Sequence, residues 1–364
     1  MLLKNLCTFS KGVQIKRDYT SISYKIPYLH YGDIYKLYNV KLDVDNVYNS
    51  IIKVDDKFYN AKYQINNNDI VMNLTSENYS DLGKCIIVKN ENNNPFLAGM
   101  ETHLIKIISN DIIPDYLNYY FESNNFLNTI QQYITGMKVF RVKPDDILNI
   151  EINLPTVTHQ QHIVDIIGSI DDKIENNNKL IDKIWSKLQL FHIEFKNKNE
   201  LIEKNILELA EIKYGKSIST SSILENGIYP VYGSNGIIGY LNKFEFNEHK
   251  IAISCRGNSS GIIHLTNKQS TITSNSLILD FYDFKFTYYF YLEFIKKGLY
   301  EFKTGSAQPQ ITIDNLKKLN LMIPRKIDKY TNLVEKNVDF IFMLKKENTK
   351  LNELKQLYLK KFFG

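Results

Sequence analysis

At 364 residues, 43% hydrophobic and 23% charged, the chain is long enough for two ordinary domains and reads as globular, not fibrous or disordered. Net charge is +5, yet residues 1–155 carry 16 Lys+Arg against 17 Asp+Glu and residues 201–324 carry 13 against 11, whereas residues 325–364 carry 10 against 5. That distribution excludes a broad basic face; a polyanion would meet local clusters, with more phosphate-binding charge expected from a partner. Apolar runs are far shorter than the roughly 20 residues of a membrane span and the N-terminus has no signal-peptide pattern, so no membrane association and a cytoplasmic location are expected. Cys7, Cys85 and Cys255 are odd in number, far apart and without a C-x-x-C pair, which points to reduced structural thiols.

In chain order, strand-like runs cover 69–74, 84–89 and 103–108, and a helical pattern covers 114–134, ending at a Thr135-Gly136 turn. After Pro155 a long helix is predicted. Its seam of Ile163, Ile167, Ile170, Ile174, Ile181, Ile184, Leu188, Phe191 and Phe195 steps by fours and threes, interrupted by Asn177. Thr158 with Gln161 is predicted to form a capping box at its start. About 38 helical residues would reach about 57 Å, too long to bury the stripe against one small domain.

The second half repeats the plan, with strand-like runs at 250–254, 261–265 and 276–280, a helical pattern at 287–302 and a second long helix at 326–363. That helix has a seam of Ile341, Leu344, Leu351, Tyr358 and Phe362, interrupted by Asn348 and Lys355. An antiparallel pairing of the two helices is predicted. Asn177 and Asn348 would then face each other and fix register, the other reading being two solvent-facing asparagines.

The halves also match residue by residue. Thr135-Gly136, Asp145, Ile147 and Leu154-Pro155 recur as Thr304-Gly305, Asp314, Leu316 and Ile323-Pro324 at a constant offset of 169 (304 − 135). More loosely, Leu6-Cys7-Thr8-Phe9-Ser10-Lys11-Gly12 matches Leu209-Ala210-Glu211-Ile212-Lys213-Tyr214-Gly215, and Ile26-Pro27-Tyr28 matches Tyr229-Pro230-Val231. Four parts follow: 1–155 globular, 156–200 helix, 201–324 globular, 325–364 helix.

Three stretches carry a family resemblance. Leu154-Pro155-Thr156-Val157-Thr158-His159-Gln160-Gln161-His162-Ile163-Val164 with Ile170-Asp171-Asp172-Lys173-Ile174 is the first; Tyr229-Pro230-Val231-Tyr232-Gly233-Ser234-Asn235-Gly236-Ile237-Ile238-Gly239-Tyr240 and Arg256-Gly257-Asn258-Ser259-Ser260-Gly261 are the others. Together with the repeat, which spans essentially the whole chain, they resemble the specificity (S, HsdS) subunits of type I restriction-modification systems. Two departures stand out: the second helix opens Pro324-Arg325-Lys326-Ile327-Asp328 without glutamine, and the first domain has Asn73-Leu74-Thr75-Ser76-Glu77-Asn78-Tyr79 in place of the Arg-Gly loop.

The resemblance implies an α+β fold of two pseudo-symmetric globular α/β target recognition domains separated by two long helices forming an antiparallel coiled coil. It implies a non-catalytic subunit in which each domain reads half of a bipartite double-stranded DNA target and the helices set the spacer and dock two methyltransferase (M) subunits. Restriction (R) subunits would join that core. No cofactor is expected on this chain; S-adenosylmethionine would sit in the M subunit, ATP and Mg in the R subunit.

Reading base edges needs paired donors and acceptors on loops that enter the major groove. The candidates are Thr75, Ser76, Asn78, Tyr79, Lys138 and Arg141 in the first half, and Asn235, Arg256, Asn258, Ser259, Asn275, Gln308 and Gln310 in the second. Fragments that imitate catalytic motifs lack context. Tyr214-Gly215-Lys216-Ser217 has alanine at 210 where a phosphate loop needs glycine, and Asn93-Asn94-Pro95-Phe96 lacks the second proline of an adenine methyltransferase site. His159, His162 and Asp165 could make a ligand face, but His159 is read as part of the capped first turn and His162 as lying beside the seam, so no metal is expected. The competing readings are a DNA methyltransferase or nuclease with degenerate motifs, and a coiled-coil scaffold without a DNA role.

Overall fold

In the computed structural model, residues 1–36, 41–305 and 309–364 are described. The chain divides into two compact units, Met1–Glu175 with Asn348–Gly364, and Asn176–Glu347.

In the first unit, β1 (Cys7–Lys11), β2 (Lys41–Asp43), β3 (Ile70–Asn73), β4 (Cys85–Lys89) and β5 (Thr102–Ile107) form one sheet in the order β1-β5-β3-β4-β2. All pairs are antiparallel except β2 with β4. The central strands read as continuous apolar runs because both sheet faces are covered. Ile70, Met72, Cys85 and Ile87 point into one core with α1 (Pro114–Glu122), while Val71, Ile86 and Val88 point into another with Leu29, Ile34 and Phe96. The helical pattern predicted over 114–134 is broken in two. Ser123 is extended, and its hydroxyl accepts from Phe126 N at 3.3 Å, capping a second helix, Asn124–Gln131.

α2 (Val157–Lys198) begins in this unit. The predicted Thr158–Gln161 box is not its cap: the helix starts two residues earlier, Thr156 Oγ1 accepts from His159 N, and Gln161 turns to Asp165. The neighbouring Gln160 is fully buried. Its amide oxygen accepts from Ile113 N at 2.8 Å, and its nitrogen donates to the carbonyls of Asp111 (2.8 Å) and Pro155 (2.9 Å). One side chain thus joins the start of the long helix to the loop before α1.

The second unit holds β6 (Ala210–Tyr214), β7 (Ile251–Ser254), β8 (Ile263–Leu265) and β9 (Ser276–Phe281) in the order β6-β9-β7-β8, followed by α3 (Lys285–Lys297). This reproduces the β1-β5-β3-β4 order of the first unit. α3 stops at Gly298, whose φ of +69° favours glycine, earlier than the predicted 302. Two glycines of the loose sequence match, Gly12 and Gly215, hold the same position after β1 and β6. A Cβ on Gly12 would sit 2.1 Å from the Gly99 carbonyl oxygen, and one on Gly215 would sit 2.4 Å from those of Ile272 and Thr273.

α4 (Asp328–Phe363) runs antiparallel to α2 within each unit. In the second, Ile181, Ile184 and Leu188 pack in one core with Val334, Val338, Ile341 and Leu344, while Asn177 donates to Glu347 at 2.8 Å and His192 meets Tyr330 Oη at 2.7 Å. In the first, Ile163 and Ile167 share a core with Leu359 and Phe363. The seam therefore departs from prediction in its last turns: Leu359 and Phe363 are buried, whereas Tyr358 and Phe362 are half-buried and stack on each other at 5.8 Å. Lys355, which interrupts the apolar pattern, is buried at the seam. Its ammonium lies 2.8 Å from Glu122 and 3.0 Å from Asp171, and Asp171 also accepts from Tyr119 Oη at 2.9 Å. Cys7, Cys85 and Cys255 are buried free thiols, and burial pushes the Cys7 thiol up to about 12.

Candidate nucleic-acid interface

Each unit brings the loop after its central strand, β3 or β7, against the loop that follows the repeated Thr-Gly turn. In the first unit, Thr75–Ser76 pairs antiparallel with Phe140–Arg141, so that Arg141 stands opposite Thr75 and Phe140 opposite Ser76. Arg141 also exchanges both backbone hydrogen bonds with Thr135, at 2.9 and 2.8 Å, and Val142 N donates to Leu74 O at 3.1 Å. Gly136, with φ of +104°, makes the turn, and a Cβ there would sit 2.1 Å from Val139 O.

The second unit repeats these bonds with different side chains. Arg256 stands opposite Gln310, Gln310 exchanges both backbone bonds with Thr304 at 2.8 Å, and Ile311 N donates to Cys255 O at 3.0 Å. Gly83 N donating to Asn73 O is matched by Gly261 N donating to Ser254 O, both at 2.8 Å. Thr75 therefore corresponds to Arg256, and Arg141 to Gln310. The second pair keeps the repeat offset, 310 − 141 = 169.

Around the first ladder, Tyr79 lies edge-on to Phe140 at 5.5 Å, and its hydroxyl donates to Gln131 O at 3.4 Å. The candidates here split by exposure. Asn78, Tyr79, Lys138 and Arg141 are exposed and Thr75 is half-buried. Ser76 is buried, with its hydroxyl accepting from Asn78 N at 3.0 Å, so it shapes the loop from within.

Around the second ladder, three further loops converge. Asn235 accepts from the Ser259 hydroxyl at 2.5 Å, and the Asn275 carbonyl accepts from Cys255 N at 3.1 Å and from the Ser234 hydroxyl at 3.3 Å. Ser254 Oγ bonds to Ser234 O, where His264 Nε2 also lies, at 3.3 Å. Burial holds the His264 imidazole below its ordinary value. Asn235, Arg256, Asn258, Asn275 and Gln310 are exposed and Ser259 is half-buried, so they share one polar surface. Gln308 lies outside the described residues.

Phe140 was absent from the sequence candidates, because a two-residue strand paired across 64 residues (140 − 76) leaves no local periodicity. The 169-residue repeat was the available signal. The false leads separate cleanly. Phe96 is fully buried, Asn94 is tied to Asp45 at 2.8 Å, and Lys216 pairs with Glu245 at 3.8 Å. Among the described residues there is no group of three His, Cys, Asp or Glu placed to hold a metal, and no helix is long and apolar enough to cross a membrane.

This duplicated ladder on a duplicated sheet agrees with the sequence comparison. The family described as type I restriction modification DNA specificity domain matches residues 1–185 and again residues 199–357. The chain belongs to this family. A type I restriction enzyme EcoprrI specificity subunit of Escherichia coli is 23% identical over 159 residues, 42% of this chain; the match spans 37% of that relative's length. The crystal structure of a type I restriction-modification system S subunit from M. genitalium superposes with a TM-score of 0.62 at 18% identity, covering 100% of this chain and 95% of that one. The S-subunit fold, two α/β specificity domains with long antiparallel helices, is therefore that of this chain, and the two family matches coincide with the two halves of its internal repeat.

Proposed function

We propose that this chain is the non-catalytic, sequence-reading subunit of a type I restriction-modification complex. Residues 1–155 and 201–324 would each read one half of a bipartite double-stranded target; residues 156–200 and 325–364 would set the unread spacer and dock two M subunits. The observation that carries this reading is the repeated ladder. The same backbone bonds recur in both units, yet the exposed side chains differ at almost every position, as two readers of unlike sequences require. Thr75, Asn78, Tyr79, Lys138 and Arg141 would face one half-site, and Asn235, Arg256, Asn258, Ser259, Asn275, Gln308 and Gln310 the other, with Ser76 supporting the first loop. Asn177 and Asn348 would define helix register.

Chemistry belongs to the partners in this reading. The M subunits supply S-adenosylmethionine-dependent adenine methylation, and R subunits supply ATP- and Mg-dependent translocation and cleavage, in the cytoplasm. Near-neutral globular parts fit a complex in which partners provide much of the phosphate contact. The test is methylation by the purified chain, by its M subunit and by both together. Sequence-specific adenine methylation is expected only from the mixture, on a split motif. Methylation by the isolated chain, or the same motif from the M subunit without it, would sink the proposal.

A further inference from the structure

The chain is poor in arginine. Of its 45 basic residues only four are Arg: Arg17, Arg141, Arg256 and Arg325. Arg325 is engaged with Glu200 at 3.1 Å, and Arg17, also exposed, sits in a short turn, Arg17–Tyr19, that is part of neither ladder. The other two occupy the equivalent two-stranded ladders, one per unit, and both are exposed. Among the described residues neither guanidinium has a hydrogen-bond or ion-pair partner. A sequence that otherwise favours lysine for surface charge therefore places one exposed, unpaired arginine on this same structural element in each unit.

The two are not at the same position of that element. Arg141 lies on the second strand of its ladder, opposite Thr75, whereas Arg256 lies on the first strand of its own, opposite Gln310. Directly opposed residues of an antiparallel pair project from one face with Cβ atoms about 5 Å apart. Each ladder thus presents one arginine and one neutral side chain side by side, with the order reversed between units. Lysine offers a point charge that suits phosphate. Arginine offers a planar fork that matches the O6 and N7 acceptors of guanine in the major groove.

We infer that each half-site contains one guanine read by bidentate hydrogen bonds from the ladder arginine, Arg141 in one half and Arg256 in the other. This rests on the specificity-subunit reading and adds a base and a residue to it. Thr75 and Gln310 flank the guanidinium and meet the neighbouring base, the glutamine suiting adenine.

The experiment uses the chain copurified with its M subunits, after the wild-type motif has been mapped from methylated adenines. Absence of any bipartite motif would defeat the specificity-subunit reading itself. Given such a motif, each guanine is replaced in turn by 7-deazaguanine, which lacks the N7 acceptor, and binding is measured. The wild-type complex should lose about 10- to 100-fold at one guanine per half-site. Arg141→Ala should become indifferent to the substitution in one half only, and Arg256→Ala in the other half only. Where an alanine variant no longer binds, R141K or R256K decides: the lysine should keep affinity for random duplex and its salt dependence while losing guanine discrimination. A half-site without a G·C pair, or alanine variants still sensitive to every guanine, would overturn the inference. So would a uniform loss across all duplexes with a shallower salt dependence, which marks a phosphate contact.

Discussion

Each unit half-buries a glutamate on the helix that follows its sheet, Glu122 on α1 and Glu293 on α3, against cations from the long helices. The two carboxylates behave oppositely. Glu122 receives one ammonium, from Lys355, which it shares with Asp171, and burial pushes it up to about 7. Glu293 receives His192 at 3.0 Å and Lys196 and Lys297 at 2.8 Å, and these donors hold it well below the usual carboxylate range. Deeper burial and the neighbouring Asp171 carboxylate favour the proton on Glu122, whereas three donors on the less buried Glu293 favour its charge. The repeat conserves the architecture of this contact without conserving its chemistry.

The contrast breaks most directly at Lys355. Lys355→Met should destabilise the first unit by about 3 kcal/mol, because the half-buried Glu122 and Asp171 would lose their shared counter-charge. Adding Glu122→Gln should restore much of the loss in urea unfolding. If Lys355→Met alone is neutral, the ion cluster contributes nothing to the packing of α4.

Next in size is a pH effect confined to the first unit. Glu122 has a folded-state value above its unfolded one, so its contribution is full below the ordinary carboxylate range, near pH 4, and is lost as pH rises through about 7. The span is on the order of 3 kcal/mol at 1.36 kcal/mol per unit. Unfolding free energies of Glu122→Gln and wild type, compared between pH 4.5 and 7.5, should diverge, the variant keeping the stability that wild type loses.

Glu293 has the opposite sign. Its depressed value makes its contribution present throughout that window and lost only in strong acid, so Glu293→Gln should cost about 2–3 kcal/mol at pH 7 with little change down to pH 5. A cost that vanished by pH 5 would contradict the holding of the Glu293 charge by its three donors.

The smallest expected effects compare the helix starts. Gln160→Ala should cost about 2 kcal/mol, since Ile113 N and two carbonyls lose a buried partner. The repeat-equivalent position of α4 is Lys329 (160 + 169), an exposed residue, and Lys329→Ala should stay within about 0.5 kcal/mol. Hydrogen exchange at Ile113 would show whether the loss in Gln160→Ala is local.

Much of this organisation was legible without coordinates. The 169-residue repeat and the run from Ile163 to Leu188 announced two domains and two long helices, because side-chain periodicity is a local property of the chain and needs no tertiary information. The candidate loops were read from turn residues, which are likewise a local signal. What tertiary structure alone decided lies between segments distant in sequence. The facing of Thr75 with Arg141 and of Arg256 with Gln310, the docking role of Gln160 in place of the Thr158–Gln161 cap, and the burial of Lys355 all depend on which groups meet. A lysine at a seam position reads as a defect until two carboxylates are found beside it, for a buried charge is defined by its partners and not by its place in a pattern.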